Sequence, residues 1–189
     1  RRRWPAFVRA LEAESGHSIH YRKEGFLMVA ATSDEAAALR ERWAYLQSLG
    51  CSLKWLNGKA ALQQEPMLSR RVLCAFFSPE DHQVDNRLTA QALRAACEKR
   101  GVRIQERTEV AEILSGGVVL QDGQTLHAKH VFVATGAWTS WLPAFRQAPL
   151  RPVKGQMLAL RMPPGAPLLR HTVWAKDIYC VPRNDGRLL

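Results

Sequence analysis

No apolar run in this 189-residue sequence approaches the roughly 20 residues a membrane-spanning helix needs, so no transmembrane segment is expected. Of its twelve glycines no two stand two positions apart, which excludes a G-x-G-x-x-G loop for gripping a dinucleotide. A G-x-x-x-x-G-K phosphate loop and a G-x-S-x-G nucleophile elbow are also absent, so hydrolysis has no visible machinery. The four cysteines (Cys51, Cys74, Cys97 and Cys180) are far apart and form no C-x-x-C pair, which argues against a zinc site or a dithiol redox motif. Buried free thiols in a reducing cytoplasm are the expectation. His17/His20 and His127/His130 have H-x-x-H spacing, but residues three apart on a strand point to opposite faces, so no metal is expected there.

What is present is a globular composition, 47% hydrophobic and 23% charged, enough for one ordinary domain or two small lobes. The net charge of +10 is scattered, with a cluster only at Arg1–Arg3. No basic stripe is interleaved with aromatics, so a solvated basic surface that helps to hold an anionic substrate or cofactor is expected, and a nucleic-acid partner is not. The basic start is not followed by the apolar stretch of a signal peptide, and the chain reads as soluble and cytoplasmic.

Periodicity predicts a helix over Trp4–Ser15, with Phe7, Val8 and Leu11 on one side and Gly16 as its stop. Residues 18–21 and 25–30 read as paired strands. A capping box at Thr32-Ser-Asp-Glu35 opens a helix carrying Leu39, Trp43, Leu46 and Leu49, closed by Gly50. Strands near 53–56 and 72–77 flank a helical turn at 59–64. Residues 86–100 form a helix burying Leu88, Ala92, Leu93, Ala96 and Cys97, followed by a strand at 102–104. Short strands at 110–114, 118–120 and 125–127 are joined by Ser115-Gly116-Gly117 and Asp122-Gly123 turns. The run 130–134 is nearly all apolar, as in a strand buried on both faces of a parallel sheet, and leads into a turn at Thr135-Gly136-Ala137-Trp138. Strands at 157–160, 171–174 and 178–181 follow, with a Pro/Gly-rich loop at 163–167. Asn184-Asp185-Gly186 is a hairpin turn three residues before Leu189, and a return strand that short reads as truncation.

The strand-turn unit at 131–138, with its glycine at a strand's carboxyl end, lets backbone approach a ligand, though by itself it is equally an ordinary connection. More telling is a series of short motifs. Glu24-Gly25-Phe26-Leu27, Val84-Asp85 before a helix, and Thr108-Glu109-Val110 after a strand are followed by Val133-Ala134-Thr135-Gly136-Ala137-Trp138. Pro152-Val153-Lys154-Gly155-Gln156 and Tyr179-Cys180-Val181-Pro182-Arg183, with Gly186-Arg187-Leu188 behind it, complete the series. In this order and spacing, over nearly all of the chain, they resemble the D-amino-acid oxidase/glycine oxidase superfamily of FAD-dependent oxidoreductases. K-G-Q and Y-x-V-P-R resemble most the glycine oxidases of thiamine biosynthesis.

The resemblance implies FAD as cofactor and a small amino acid (glycine, sarcosine or a D-amino acid) as substrate, oxidised to an imine with release of peroxide. It places the Val110 backbone at the adenine end of FAD, and Ala134, Thr135, Gly136 and Trp138 along the cofactor. Tyr179 falls at the substrate-binding position, with its hydroxyl near the carboxylate. Arg183 and Lys154 brace loops, favour an anion or belong to the solvated surface. The implied architecture is α/β: residues 1–78 and 148–189 form a substrate domain with a mixed or antiparallel sheet. Residues 79–147 form part of a Rossmann-like FAD-binding domain with a β-meander. The sequence departs from the family in lacking the glycine-rich loop and the C-terminal stretch with the carboxylate-binding arginine. The chain on its own is therefore expected to hold FAD weakly or not at all and to be inactive. Its open sheet edge is expected to promote self-association. A related sarcosine oxidase, D-amino-acid dehydrogenase or tRNA-modifying oxidase domain, or a basic binding module descended from one, are the alternative readings.

Overall fold

The computed structural model describes residues 3–163 and 169–189; Arg1, Arg2 and most of the 163–167 loop lie outside the described residues. The fold is mixed α/β. The chain divides into two compact units, one of Arg1–Val102 and Met157–Leu189, the other of Arg103–Gln156.

The first unit starts with α1 (Trp4–Ser15), which ends where Gly16 turns left-handed at φ 76°. Strand β1 (Phe26–Ala30) leads to α2 (Ser33–Ser48). The Thr32 side chain accepts from the Glu35 N–H at 3.3 Å, and the Glu35 carboxylate accepts from the Ala31 N–H, one residue short of a reciprocal box. Strand β2 (Lys54–Asn57), α3 (Gly58–Gln64), β3 (Cys74–Ser78) and α4 (Asn86–Lys99) follow. Asp85, itself buried, caps α4 by accepting from the Arg87 and Leu88 N–H groups. Val8 and Leu11 of α1 pack with Ile19, Ala92 and Ala96 of α4. Phe7 and Leu93, expected in that seam, are largely exposed, as is Leu49 after α2; each lies at the margin of its helix's apolar stripe.

After the second unit, the first resumes with β7 (Leu160–Arg161), β8 (Thr172–Trp174), β9 (Tyr179–Cys180) and β10 (Arg187–Leu188). Five strands form one mixed sheet in the order β2-β3-β1-β8-β9. Strand β1 is antiparallel to β3 and parallel to β8, and β8 is antiparallel to β9. Alternation along β1 sends Met28 and Ala30 against Leu39 of α2 on one face, and Leu27 and Val29 into a core with Leu56, Ala75 and Val173 on the other. β7 and β10 pair separately.

The second unit holds the meander β4 (Val110–Leu114), β5 (Gly117–Leu120) and β6 (Thr125–His127), hydrogen-bonded in that order. A bulge breaks the β4–β5 register between Val110 and Glu112.

Several expected strands are not strands. Residues 18–21 do not pair with 25–30: His20 has φ 51°, which breaks extended backbone, and the segment instead bonds to the chain before α4. Asp85 N–H donates to Ile19 C=O at 3.0 Å, and Arg22 and Gln83 exchange bonds at 2.9 and 3.0 Å. Residues 102–104 and 130–134 form no ladder, and Phe132 is 92% exposed. A strand exists only through a neighbouring strand's N–H and C=O groups, and among the described residues neither run lies beside one; the Val102 N–H donates instead to Cys97 C=O at the end of α4, at 3.0 Å. Of 157–160 only Leu160 is paired. Only Cys74 of the four thiols is buried; the others are half-buried.

Candidate functional site

The predicted site residues fall into two groups, one in each unit. In the first unit, the β8–β9 hairpin closes through Ala175 N–H donating to Ile178 C=O at 2.8 Å, which sets Trp174 opposite Tyr179. Cross-strand partners project to one face, and the two rings meet edge-on, centroids 5.8 Å apart. Phe26 of β1 meets Trp174 edge-on from the other side at 6.3 Å. The Arg42 guanidinium of α2 lies over the Trp174 ring at 5.1 Å. These four side chains, with Phe76, Asp81, His82 and Asp177, border an open cavity of about 700 Å³. Partial burial pushes the Tyr179 phenol above its ordinary value, Arg183 draws it down, and Asp81 pushes it up, with a net rise. Tyr179 therefore stays a hydroxyl donor through neutral and mildly alkaline pH.

Arg183 is a brace: its Nη1 donates to the Val84 carbonyl at 2.6 Å, tying the chain after β9 to the approach to α4. Lys154 is exposed.

In the second unit, Val110, Thr135 and Trp138 come together around a cavity of about 320 Å³, with Val118, Phe132 and Trp141. Ala134 and Gly136 sit in the adjoining turn and do not line it. Gly136 has φ 56° and opens a short 3-10 helix, Gly136–Trp141. Thr139 Oγ1 donates to Gly136 C=O at 2.7 Å and lies 3.0 Å from Thr135 Oγ1. Trp138 and Trp141 meet edge-on at 6.4 Å. The lining is mainly aliphatic and aromatic, with Thr108, Glu109, Gln121 and Thr135 among it, and fits the flat ring end of a dinucleotide such as FAD. It does not fit its phosphates, for which the chain has no glycine loop.

Among the described residues no group of three or more His, Cys, Asp or Glu side chains is placed to hold a metal ion. No helix of the described residues is long and apolar enough to cross a membrane.

The model of the FAD dependent oxidoreductase family, DAO, matches residues 1–189. The chain belongs to this family. It is 35% identical to the glycine oxidase of Geobacillus kaustophilus over 192 aligned residues, covering 98% of this chain and 50% of that protein. It is 40% identical over 143 residues to the bifunctional protein ThiO/ThiG of Synechocystis, covering 71% of this chain and 21% of that protein. The crystal structure of the G. kaustophilus glycine oxidase has the same fold, with a TM-score of 0.89 at 34% identity over 99% of this chain. This chain spans 52% of that structure and about half the length of the glycine oxidases it matches.

Trp174, Phe26 and Arg42 were not read as site residues in the sequence. Trp174 carries a usable signal, since it lies at the end of a strand whose hairpin partner begins with Tyr179. Arg42 has none, because nothing in the sequence of α2 distinguishes it from Arg40, which lies over Trp55 instead.

Proposed function

We propose that the intact protein containing these residues is an FAD-dependent amino-acid oxidase of the glycine oxidase type. Its substrate would be a small amino acid such as glycine, sarcosine or a D-amino acid, oxidised at the amine to an imine. The reading is carried by the 35% identity with a glycine oxidase over 98% of the chain. FAD, when bound, takes the hydride of the substrate α-carbon and passes the electrons to O₂ as hydrogen peroxide.

The chain's own share of the chemistry is positioning. The Tyr179 hydroxyl donates to the substrate carboxylate, and Trp174 and Phe26 supply an apolar wall beside it. A substrate of so few atoms is oriented once one end is held, so fixing the carboxylate fixes where the α-hydrogen points. Val110 would meet the adenine end of the cofactor through its backbone, with Ala134, Thr135, Gly136 and Trp138 along its length. The division into a substrate domain (1–78 with 148–189) and part of a cofactor domain (79–147) belongs to this proposal, as do a cytoplasmic location and a place in thiamine biosynthesis. The exposed run Val131–Val133 supports the expectation that the 189-residue chain self-associates when alone.

The test is peroxide release by the intact, FAD-loaded protein from glycine, sarcosine and D-alanine. Turnover of at least one is expected. No turnover of any of them, with FAD bound, would overturn the proposal.

A further inference from the structure

The wall formed by Trp174 and Tyr179 rests on very little ladder. Strand β8 has three residues and β9 two. Ladders this short specify their register weakly, and a slip of one residue turns every side chain to the opposite face of the sheet. Beyond the three-residue parallel ladder of β8 with β1 and the Gln83 Nε2 bond to Pro182 C=O, two side-chain anchors hold the hairpin, one at its entry and one joining entry to exit.

The first is Glu65, just past the end of α3 and 1% exposed. One of its carboxylate oxygens, Oε2, accepts from the Arg170 N–H at 2.9 Å, from the His171 N–H at 3.0 Å and from His171 Nδ1 at 3.0 Å. His171, also buried, is flanked on its other ring nitrogen by Gln64 Nε2 at 3.2 Å, and meets Phe77 edge-on at 5.4 Å. Each ring nitrogen thus has a hydrogen-bonding partner, Glu65 on Nδ1 and the Gln64 amide on Nε2. The second anchor is Arg22, whose Nη2 donates to Arg170 C=O at 2.9 Å and whose Nη1 donates to Pro182 C=O at 3.1 Å. It joins the residue two before β8 to the residue two after β9.

Arg170 is thus held through both its N–H and its C=O. We propose that Glu65, acting through His171 and together with Arg22, is a positioning residue. Its role is to fix the register of the β8–β9 hairpin so that Trp174 and Tyr179 face the substrate cavity. The link to substrate rests on the oxidase reading above; the clamp itself does not. Burying a carboxylate costs stability unless it is fully bonded, and three donors on one oxygen provide that bonding. His171 shares its face with Val173, opposite Trp174, so the clamp grips the strand from behind and leaves the cavity free.

The experiment uses Glu65→Gln and His171→Asn in the intact protein, the second keeping a side-chain N–H for Glu65. Backbone hydrogen–deuterium exchange is compared in peptides over 170–182 and over 26–30, alongside KM and kcat. For Glu65→Gln, exchange in 170–182 should rise about tenfold or more while 26–30 changes little. KM should rise about tenfold with kcat within about threefold. His171→Asn should recover most of both. Unchanged exchange in 170–182 would overturn the clamp, whatever the activity. Raised local exchange with unchanged KM would overturn its role in positioning Tyr179. Exchange rising equally everywhere in both variants would reduce Glu65 to a general stabiliser and also overturn the proposal. A failure of the oxidase reading itself would appear as no turnover by the unmutated protein, with the exchange result standing.

Discussion

At the scale of single residues, Tyr179 and Gly25 illustrate two ways in which a short motif carries meaning. In the proposed reading Tyr179 donates its hydroxyl to the substrate carboxylate, and its raised pKa keeps the phenol protonated over the useful range. Replacing it with phenylalanine in the intact protein should remove one hydrogen bond to a charged group. That is worth about 1.5–3 kcal/mol, or roughly a 10–100-fold rise in KM, with kcat changed much less. Steady-state kinetics with glycine check this, and an unchanged KM would remove Tyr179 from the site. Gly25 belongs to the Glu-Gly-Phe-Leu motif for a reason of backbone geometry. It has φ 88°, and an added Cβ would come within 2.8 Å of the Ser78 carbonyl and 2.5 Å of the Phe77 ring. Gly25→Ala should cost about 2 kcal/mol, read as a lowered urea midpoint. The motif was legible in the sequence, but this reason for it was not, because Phe77 and Ser78 reach Gly25 only after β1 and β3 pair. Of the residues expected along a cofactor, Val110, Thr135 and Trp138 share one cavity, whereas Ala134 and Gly136 only shape the turn beside it.

At the scale of elements, local signals were read well. The helix at 4–15, the cap at Thr32 and the meander at 110–127 follow from glycines, capping side chains and alternation within a few residues. Non-local relations were not legible. The runs 102–104 and 130–134 have strand composition and no strand partner among the described residues, and composition alone cannot provide one. The Glu65–His171 pair spans 106 positions with no sequence pattern joining its members. Burial pushes the Glu65 carboxyl up, but bonds from the His171 side chain and from the His171 and Arg170 amides outweigh that and hold it below its ordinary value. A carboxyl with a depressed folded pKa contributes stability that is present above its unfolded value and lost as pH falls through the folded value. Acid titration should therefore destabilise the wild-type sheet below the ordinary glutamate range. Glu65→Gln should flatten that part of the stability–pH curve, measured by urea denaturation at stepped pH. A wild-type slope persisting in the variant would place the acid sensitivity elsewhere.

At the scale of the whole molecule, the chain carries two candidate cavities and no glycine-rich dinucleotide loop. Purified as these 189 residues, it should show no stoichiometric flavin absorbance, since the residues around Val110 and Trp138 offer a ring a wall and its phosphates no grip. A bound-flavin spectrum at one equivalent would contradict this. The parallel pairing of β1 with β8 has a further consequence, one of timing. Phe26 pairs with Thr172, and about 145 residues must be synthesised between them. At about 5–20 residues per second the ribosome takes roughly 7–30 s to deliver the second strand after the first. Through that interval β1 and β3 can zip together, but one flank of β1 stays open as an unpaired apolar edge. The wait for β8 thus leaves an apolar strand edge uncovered for several seconds of synthesis.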